Sequence, residues 1–131
     1  MEQNEKTKAL LAAFGCALAY LLAGKALAAV LPQVPEEAAR MWAFVHRCAA
    51  APIVEELVFR GIIQQLARPL GERQAVALQA VLFAVQHRGP AGMAYALVCG
   101  LVLGTIRSRT GSVWPGMLLH TLNNLLVFAA G

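Results

Sequence analysis

The chain has 131 residues, enough for one domain and too few for two ordinary ones. Hydrophobic residues make up 59% of it and charged residues only 14%, against about 45–50% and about 25% in typical soluble domains. This composition excludes a disordered chain and argues against a soluble helical bundle. The net charge of +4 does not indicate nucleic-acid binding, because the basic residues lie at the ends of apolar segments.

Charged clusters and prolines divide the apolar sequence into five predicted helices. In chain order they are Ala9–Leu31, Met41–Ala67, Gln74–His87, Ala91–Ile106 and Ser112–Ala130. Pro32 is predicted to stop the first helix, Glu36, Glu37 and Arg40 to form a polar connection, and residues 68–73 to form a loop. No alternating pattern predicts a strand. We therefore predict an all-α fold for residues 1–131, a single domain built as a polytopic transmembrane bundle of about five helices.

The first helix could alternatively be a signal peptide. Lys6 and Lys8 would precede its apolar stretch, and residues 26–28 would form the cleavage site. Lys25 lies awkwardly close to that site, and further apolar segments follow, so a helix that is retained in the protein is favoured.

The distribution of Lys and Arg predicts the orientation in the membrane. One side would hold Lys6, Lys8, Arg68, Arg73, Arg107 and Arg109, and the other Arg40 and Arg88, with Arg47 near it. Cytoplasmic loops carry the excess of basic residues. The N-terminus is therefore expected in the cytoplasm and the C-terminus outside.

Ionisable and amide side chains interrupt the apolar segments, where each charge costs about 2.5–3.5 kcal/mol or more. They are Glu55, Glu56, Arg60, His87, His120, Asn123 and Asn124. At 1.5 Å per residue, Glu55 and His87 lie about 20 Å from the turn at residues 68–73, and His120 and Asn124 about 13 and 20 Å from the same face. Three helices thus bring Glu, His, His and Asn to one band of the membrane.

This set of side chains is suited to hydrolysis. Glu56 and Arg60 are four residues apart and can pair, which leaves Glu55 free. A carboxylate beside a histidine can activate water, and a second histidine with an amide can stabilise an oxyanion. Alternatively, Glu55, His87 and His120 are three ligands of a zinc ion with one open position, although no His-Glu-x-x-His motif is present.

Three motifs, in order on separate predicted helices, resemble the signature of the CPBP family of intramembrane proteases, also called the CAAX-protease or Abi family. Glu-Glu-x-x-x-Arg is matched by Glu55, Glu56 and Arg60, Phe-x-x-x-His by Phe83 and His87, and His-x-x-x-Asn by His120 and Asn124. The matched core covers residues 42–128. Each motif alone is weak, whereas the ordered set is specific.

The resemblance implies an intramembrane endopeptidase of glutamate type. Glu55 would activate water with help from His87, His120 and Asn124 would stabilise the oxyanion, and Glu56 and Arg60 would support them. No cofactor is expected, with zinc as the open alternative. The expected partners are membrane lipids and a membrane-anchored peptide or protein substrate. The expected location is a bacterial inner (plasma) membrane.

Other functions are compatible with parts of this pattern. Relatives in the family include enzymes that cut prenylated C-terminal peptides, proteins linked to bacteriocin immunity, and short enzymes that resemble processors of C-terminal anchors of exported proteins; the last group is favoured here. A non-catalytic immunity or binding protein that retains the family core is the main alternative. A small transporter subunit with Glu55 as a proton site would not require His120 and Asn124.

Overall fold

The structure is a computed structural model that describes residues 2–30 and 34–131. Within these ranges the chain is almost entirely helical and contains no strand, which confirms the all-α prediction. We number the helices α1 (Glu2–Val30), α2 (residues 36–66), α3 (Glu72–Ala84), α4 (Gly89–Thr110) and α5 (Trp114–Ala129).

Helix α2 is continuous but changes its geometry four times. Its segments are Glu36–Val45 (α), His46–Ala50 (π), Ala51–Glu55 (α), Glu56–Ile63 (π) and Gln64–Leu66 (α). Pro52 gives a reason for the first π segment, because a proline inside a helix removes one backbone hydrogen bond and crowds the preceding turn. The second π segment begins directly after Glu55 and carries Glu56 and Arg60. Single π turns inside helices are frequent at functional sites.

Several predicted helix boundaries are wrong. Helix α1 begins at Glu2, seven residues before the predicted start, and the predicted stop at Pro32 lies outside the described residues. The supposed connection with Glu36, Glu37 and Arg40 is helical, because Pro35 stands at its N-cap and the two acidic residues lie in its first turn, where the helix dipole favours them. The predicted loop at residues 68–73 contains a 3₁₀ turn, Arg68–Leu70.

The later helices also depart from their predicted bounds. Helix α2 ends at Leu66 and α5 at Ala129, one residue early in each case, and α5 starts two residues late. Helix α3 begins two residues early and ends at Ala84, so that His87 lies in the following turn, where its N–H donates to the Ala84 carbonyl. Helix α4 is longer than predicted at both ends. It stops at Gly111, whose φ of 70° is the left-handed conformation that glycine adopts easily.

Small residues let the helices approach closely. Ala13 and Ala17 of α1 are buried in the core cluster with Phe59, Ile63 and Phe83. A Cβ added to Gly100 of α4 would lie 2.9 Å from Ala80 of α3, and one added to Gly104 would overlap Gln79. Because α3 and α4 are this close, the Gln79 side chain can donate a hydrogen bond to the Gly100 carbonyl over 2.7 Å.

The outer surface of the bundle is apolar. Helices α1 and α4 are long and apolar enough to cross a membrane, judged by length and composition. Large hydrophobic side chains are exposed on every helix, among them Leu11, Leu57, Val81, Val98 and Leu126. A continuous apolar surface of this kind fits lipid rather than water.

Candidate active site

A buried ion pair in the π segment of α2 forms the base of the site. Glu56 Oε1 and Arg60 Nη1 lie 3.2 Å apart, and both side chains are fully buried. The guanidinium carbon of Arg60 also lies 4.5 Å from the centre of the Phe83 ring, on its face. The ion pair with Glu56 and the cation–π contact with Phe83 therefore both stabilise the buried guanidinium of Arg60.

His120 of α5 contacts both of the consecutive glutamates. Its Nδ1 donates to Glu56 Oε1 over 2.9 Å, and its Nε2 lies 3.5 Å from Glu55 Oε2. Glu56 is fully buried and Glu55 remains 19% exposed. The sequence predicts that Glu55 has no cationic partner and is assisted by His87. In the structure His120 lies directly beside Glu55, and His87 lines the same cavity as Glu55.

A glycine makes this contact sterically possible. Gly116 lies one turn before His120 on α5, and a Cβ added to it would lie 2.7 Å from Glu56 Oε2. Any larger residue would push α5 or the carboxylate away. Gly116 is thus a site residue that the sequence motifs did not include.

Phe83 and His87 bring α3 and its following turn to the site. The His87 Nδ1 donates to the Phe83 carbonyl over 3.0 Å, and the two rings stack edge to face with centroids 4.7 Å apart. The Phe83 ring also meets the His120 ring edge to face at 5.8 Å. Phe83 therefore positions both histidines and the arginine described above.

Two cavities meet at Phe83 and His87. The smaller, of about 180 Å³, is also lined by Tyr20, Glu55 and Gln86. The larger, of about 690 Å³, is lined by Phe83, His87 and His120 together with Arg47, Tyr95, Ala96, Cys99, Asn123, Asn124, Val127, Phe128 and Gly131. Glu55 thus faces the small cavity, while His120 belongs to the large one and touches Glu55.

Asn124 lies beside His120 in the large cavity but is bonded elsewhere. Its Nδ2 donates to the Arg47 carbonyl over 2.8 Å, and its Oδ1 accepts from Asn123 Nδ2 over 3.4 Å. The Tyr95 hydroxyl donates to Asn123 Oδ1. This network joins α2, α4 and α5 at one end of the bundle and fixes the Asn124 amide.

Sequence reasoning missed Tyr20 and Tyr95. Tyr20 comes from α1 and packs edge to face on Phe59 with ring centroids 5.4 Å apart. Tyr95 comes from α4. Each is a hydroxyl-bearing ring within an otherwise apolar helix, and that is the signal by which both could have been singled out.

Comparison with known proteins identifies the family. Residues 37–126 match the Rce1-like family, described as type II CAAX prenyl endopeptidase Rce1-like. The chain belongs to the Rce1-like family. Comparisons with curated proteins and with solved structures give no match.

Family membership confirms the resemblance drawn from the three motifs, and it places the chain in a family of peptidases. Together with the apolar helices α1 and α4, it makes this chain a membrane protein. The matched range includes every residue of the three motifs and excludes Tyr20 of α1.

The alternative zinc site can be tested against the geometry. In residues 2–30 and 34–131, no group of three His, Cys, Asp or Glu side chains is arranged to hold a metal ion. Glu55 and His120 are close, but the Nδ1 of His87 is hydrogen-bonded to the Phe83 carbonyl. Glu55, His87 and His120 therefore do not form a zinc site in this arrangement.

Proposed function

We propose that this protein is an intramembrane endopeptidase in which Glu55 activates the water that cleaves a peptide bond. The observation that carries this proposal is His120, which contacts Glu55 through one ring nitrogen and the fully buried Glu56 through the other. A histidine oriented by one carboxylate and directed at a second reacting group is a recurring arrangement in hydrolases. The peptidase family gives the same reaction type.

The reaction begins in the small cavity between Glu55 and His87. The Glu55 carboxylate takes a proton from water, and the hydroxide oxygen attacks the substrate carbonyl carbon. The tetrahedral intermediate carries its negative charge on the former carbonyl oxygen. When it collapses, the carbon–nitrogen bond breaks and the proton held by Glu55 passes to the leaving amine, which restores the carboxylate.

His120 and Asn124 are assigned to the oxyanion, on the side of the large cavity. Glu56 holds His120 by its Nδ1, which fixes the ring. Because an imidazolium carries a proton on each ring nitrogen, its Nε2 can donate to an oxyanion while Nδ1 remains bonded to Glu56. An amide nitrogen has two donors, and Asn124 uses one of them on the Arg47 carbonyl. The second can donate to an oxyanion, the kind of contact worth about 10²–10³ in rate.

We propose that the substrate is the membrane anchor of an exported protein and that it enters from the non-cytoplasmic side. The large cavity lies at the end of the bundle with Arg47, the His87 turn and Gly131. Arg68 and Arg107 line a different cavity, with the turns at the opposite end. Because basic residues collect on the cytoplasmic side, the large cavity would open away from the cytoplasm.

Cleavage of defined peptides tests the substrate class. The purified protein in proteoliposomes would be offered an apolar membrane-spanning peptide with a short basic C-terminal tail and, separately, a prenylated Cys-a-a-X peptide. We expect mass spectrometry to find cleavage of the first and not of the second. Exclusive cleavage of the prenylated peptide would reverse the substrate assignment while retaining the protease.

The orientation can be tested with single cysteines on exposed residues of the two ends. In a background without Cys16, Cys48 and Cys99, we expect an impermeant thiol reagent on intact cells to label Arg88→Cys and not Arg73→Cys. Both native arginines are exposed, whereas the neighbouring Gly71 and Gly89 have positive φ and would be strained by substitution. Labelling at position 73 alone would invert the topology and remove the proposed route of entry.

The metal requirement has its own measurement. We expect the purified protein to contain no stoichiometric zinc by elemental analysis and its activity to survive a chelator. The physical reason is that His87 is held by the Phe83 carbonyl and lies outside any ligand set with Glu55 and His120. Loss of activity on chelation, restored by added zinc, would overturn this expectation and indicate a catalytic zinc ion.

A further inference from the structure

A third cavity, of about 140 Å³, lies at the end of the bundle opposite to Arg47 and His87. It is lined mainly by basic and polar side chains: Arg60, Gln64, Arg68, Glu72, Arg107 and Ser108. None of the proposed catalytic side chains lines it. Its walls come from α2, the turn that follows α2, the start of α3 and the end of α4.

Arg60 forms the inner wall of this cavity with hydrogen-bonding capacity left over. The side chain is fully buried, and its Nε, Nη1 and Nη2 have no hydrogen-bond partner of good geometry in the described part of the chain. The carboxylate of Glu56 lies 3.2 Å from Nη1 and accounts for only one direction of the guanidinium. A buried guanidinium with five N–H donors is costly unless acceptors satisfy it.

Gln64 and Ser108 continue the polar lining from Arg60 toward the cavity mouth. The Gln64 Nε2 donates to the Gly104 carbonyl and to Ser108 Oγ, over 3.0 Å each. The Ser108 hydroxyl in turn donates to Glu72 Oε1 over 2.5 Å. These bonds hold the wall in one arrangement and leave the arginine donors as the groups available to a ligand.

The charges around the cavity do not cancel. Glu56 compensates Arg60, and Glu72 compensates Arg68, whose Nε lies 3.2 Å from Glu72 Oε2. Arg107 forms no salt bridge among residues 2–30 and 34–131, and its Nε is buried without a hydrogen bond there. One positive charge is thus in excess, in a cavity that already presents unsatisfied guanidinium donors.

We propose that this cavity binds a phosphate group, supplied either by the headgroup of an anionic phospholipid or by free phosphate. Guanidinium groups match phosphate oxygens in geometry and are less strongly hydrated than ammonium groups, which suits a partly buried site. The position at helix ends, with exposed Arg68 at its mouth, corresponds to the depth at which basic pockets meet lipid headgroups.

Thermal unfolding of the purified full-length chain in an uncharged detergent tests this proposal. The probes are phosphatidylglycerol, zwitterionic phosphatidylcholine and inorganic phosphate. The variant is Arg107→Gln, and the matched control is Arg109→Gln, two residues away on the same helix end and exposed. We expect phosphatidylglycerol to raise the Tm of the wild type and of the control. In Arg107→Gln the apparent affinity should fall about tenfold or more.

The outcomes separate the possible sources. Stabilisation by phosphatidylglycerol alone supports a lipid headgroup, and equal stabilisation by inorganic phosphate supports a free anion. Stabilisation by none of the probes, or equal effects of phosphatidylglycerol and phosphatidylcholine, would overturn the proposal and indicate that water fills the cavity. An equal loss of apparent affinity for phosphatidylglycerol in Arg107→Gln and Arg109→Gln would also overturn the proposal. If Arg107→Gln does not fold, native mass spectrometry of the wild type replaces this comparison. The proposal requires that the protein retains phosphatidylglycerol or phosphate, and retention of neither would overturn it.

Discussion

Replacement of Glu55 by glutamine is expected to abolish peptide cleavage and leave the protein folded. The amide keeps the size of the side chain but cannot accept a proton from water, and general-base catalysis contributes about 10²–10⁴ in rate. Glu55 is partly exposed to its cavity and 3.5 Å from His120, without the fully buried ion pair of its neighbour. The measurement is the single-turnover cleavage rate of the anchor peptide, beside the thermal unfolding curve.

Glu37→Gln is the matched control, because Glu37 is an exposed glutamate on the same helix. It should retain wild-type cleavage. If Glu55→Gln cleaves at the wild-type rate, the water-activating role is wrong, and a binding protein that retains the family core becomes the better description. If the variant unfolds, Glu55→Asp provides a second test, with a carboxylate withdrawn from His120 and a strongly reduced rate.

The second large effect concerns stability. Glu56→Gln or Arg60→Met alone is expected to lower the free energy of unfolding by about 3–5 kcal/mol, because each leaves the other charge buried without compensation. The double variant should be more stable than either single variant. Glu56→Gln should lose less activity than Glu55→Gln and more stability. Denaturant unfolding in detergent, analysed as a double-mutant cycle, gives the coupling energy.

A second pair in the same chain serves as the control. Arg68 and Glu72 have the same spacing and the same 3.2 Å separation, but their side chains are 56% and 45% exposed. An exposed pair of this kind contributes about 0–1 kcal/mol. If breaking the buried pair costs no more than breaking the exposed one, the ion pair is not a stabilising element of the site.

The sequence alone indicates three of the residues that meet in the site. Glu55, Glu56 and His120 stand out because charged groups inside apolar segments are costly, and their depth can be estimated because a helix rises by about 1.5 Å per residue. The depth estimate from this rise was less accurate, because it put His120 about 13 Å and Glu55 about 20 Å from the face at residues 68–73, whereas the two side chains are in contact. The Glu56–Arg60 contact was predictable, since residues four apart lie on one face of a helix.

The helix boundaries were less accessible to sequence reasoning. The polar run at Glu36 and Glu37 predicts a connection by composition, but it forms the first turn of α2, where the helix dipole favours acidic side chains. His87 follows Phe83 at a helical spacing, yet it lies in a turn beyond the end of α3. Hydropathy registers neither the helix dipole at the start of α2 nor the hydrogen bonds from the Gln86 and His87 N–H groups to carbonyls three residues back, which follow the end of α3.

The sequence by itself determined an all-helical membrane chain, its family and several of the polar residues in its interior, because burial cost and helical rise act along one segment at a time. It did not single out the buried Gln64 and Gln79. Only the tertiary structure decided which side chains of different helices contact one another. In the tertiary structure His120 contacts both glutamates, and Tyr20 of α1 lines the Glu55 cavity. The absence of a side chain at Gly116 lets α5 pack closely against Glu56. These contacts depend on how the helices rotate about their axes and how closely they approach. Side chains from different helices, packed against each other, set both quantities.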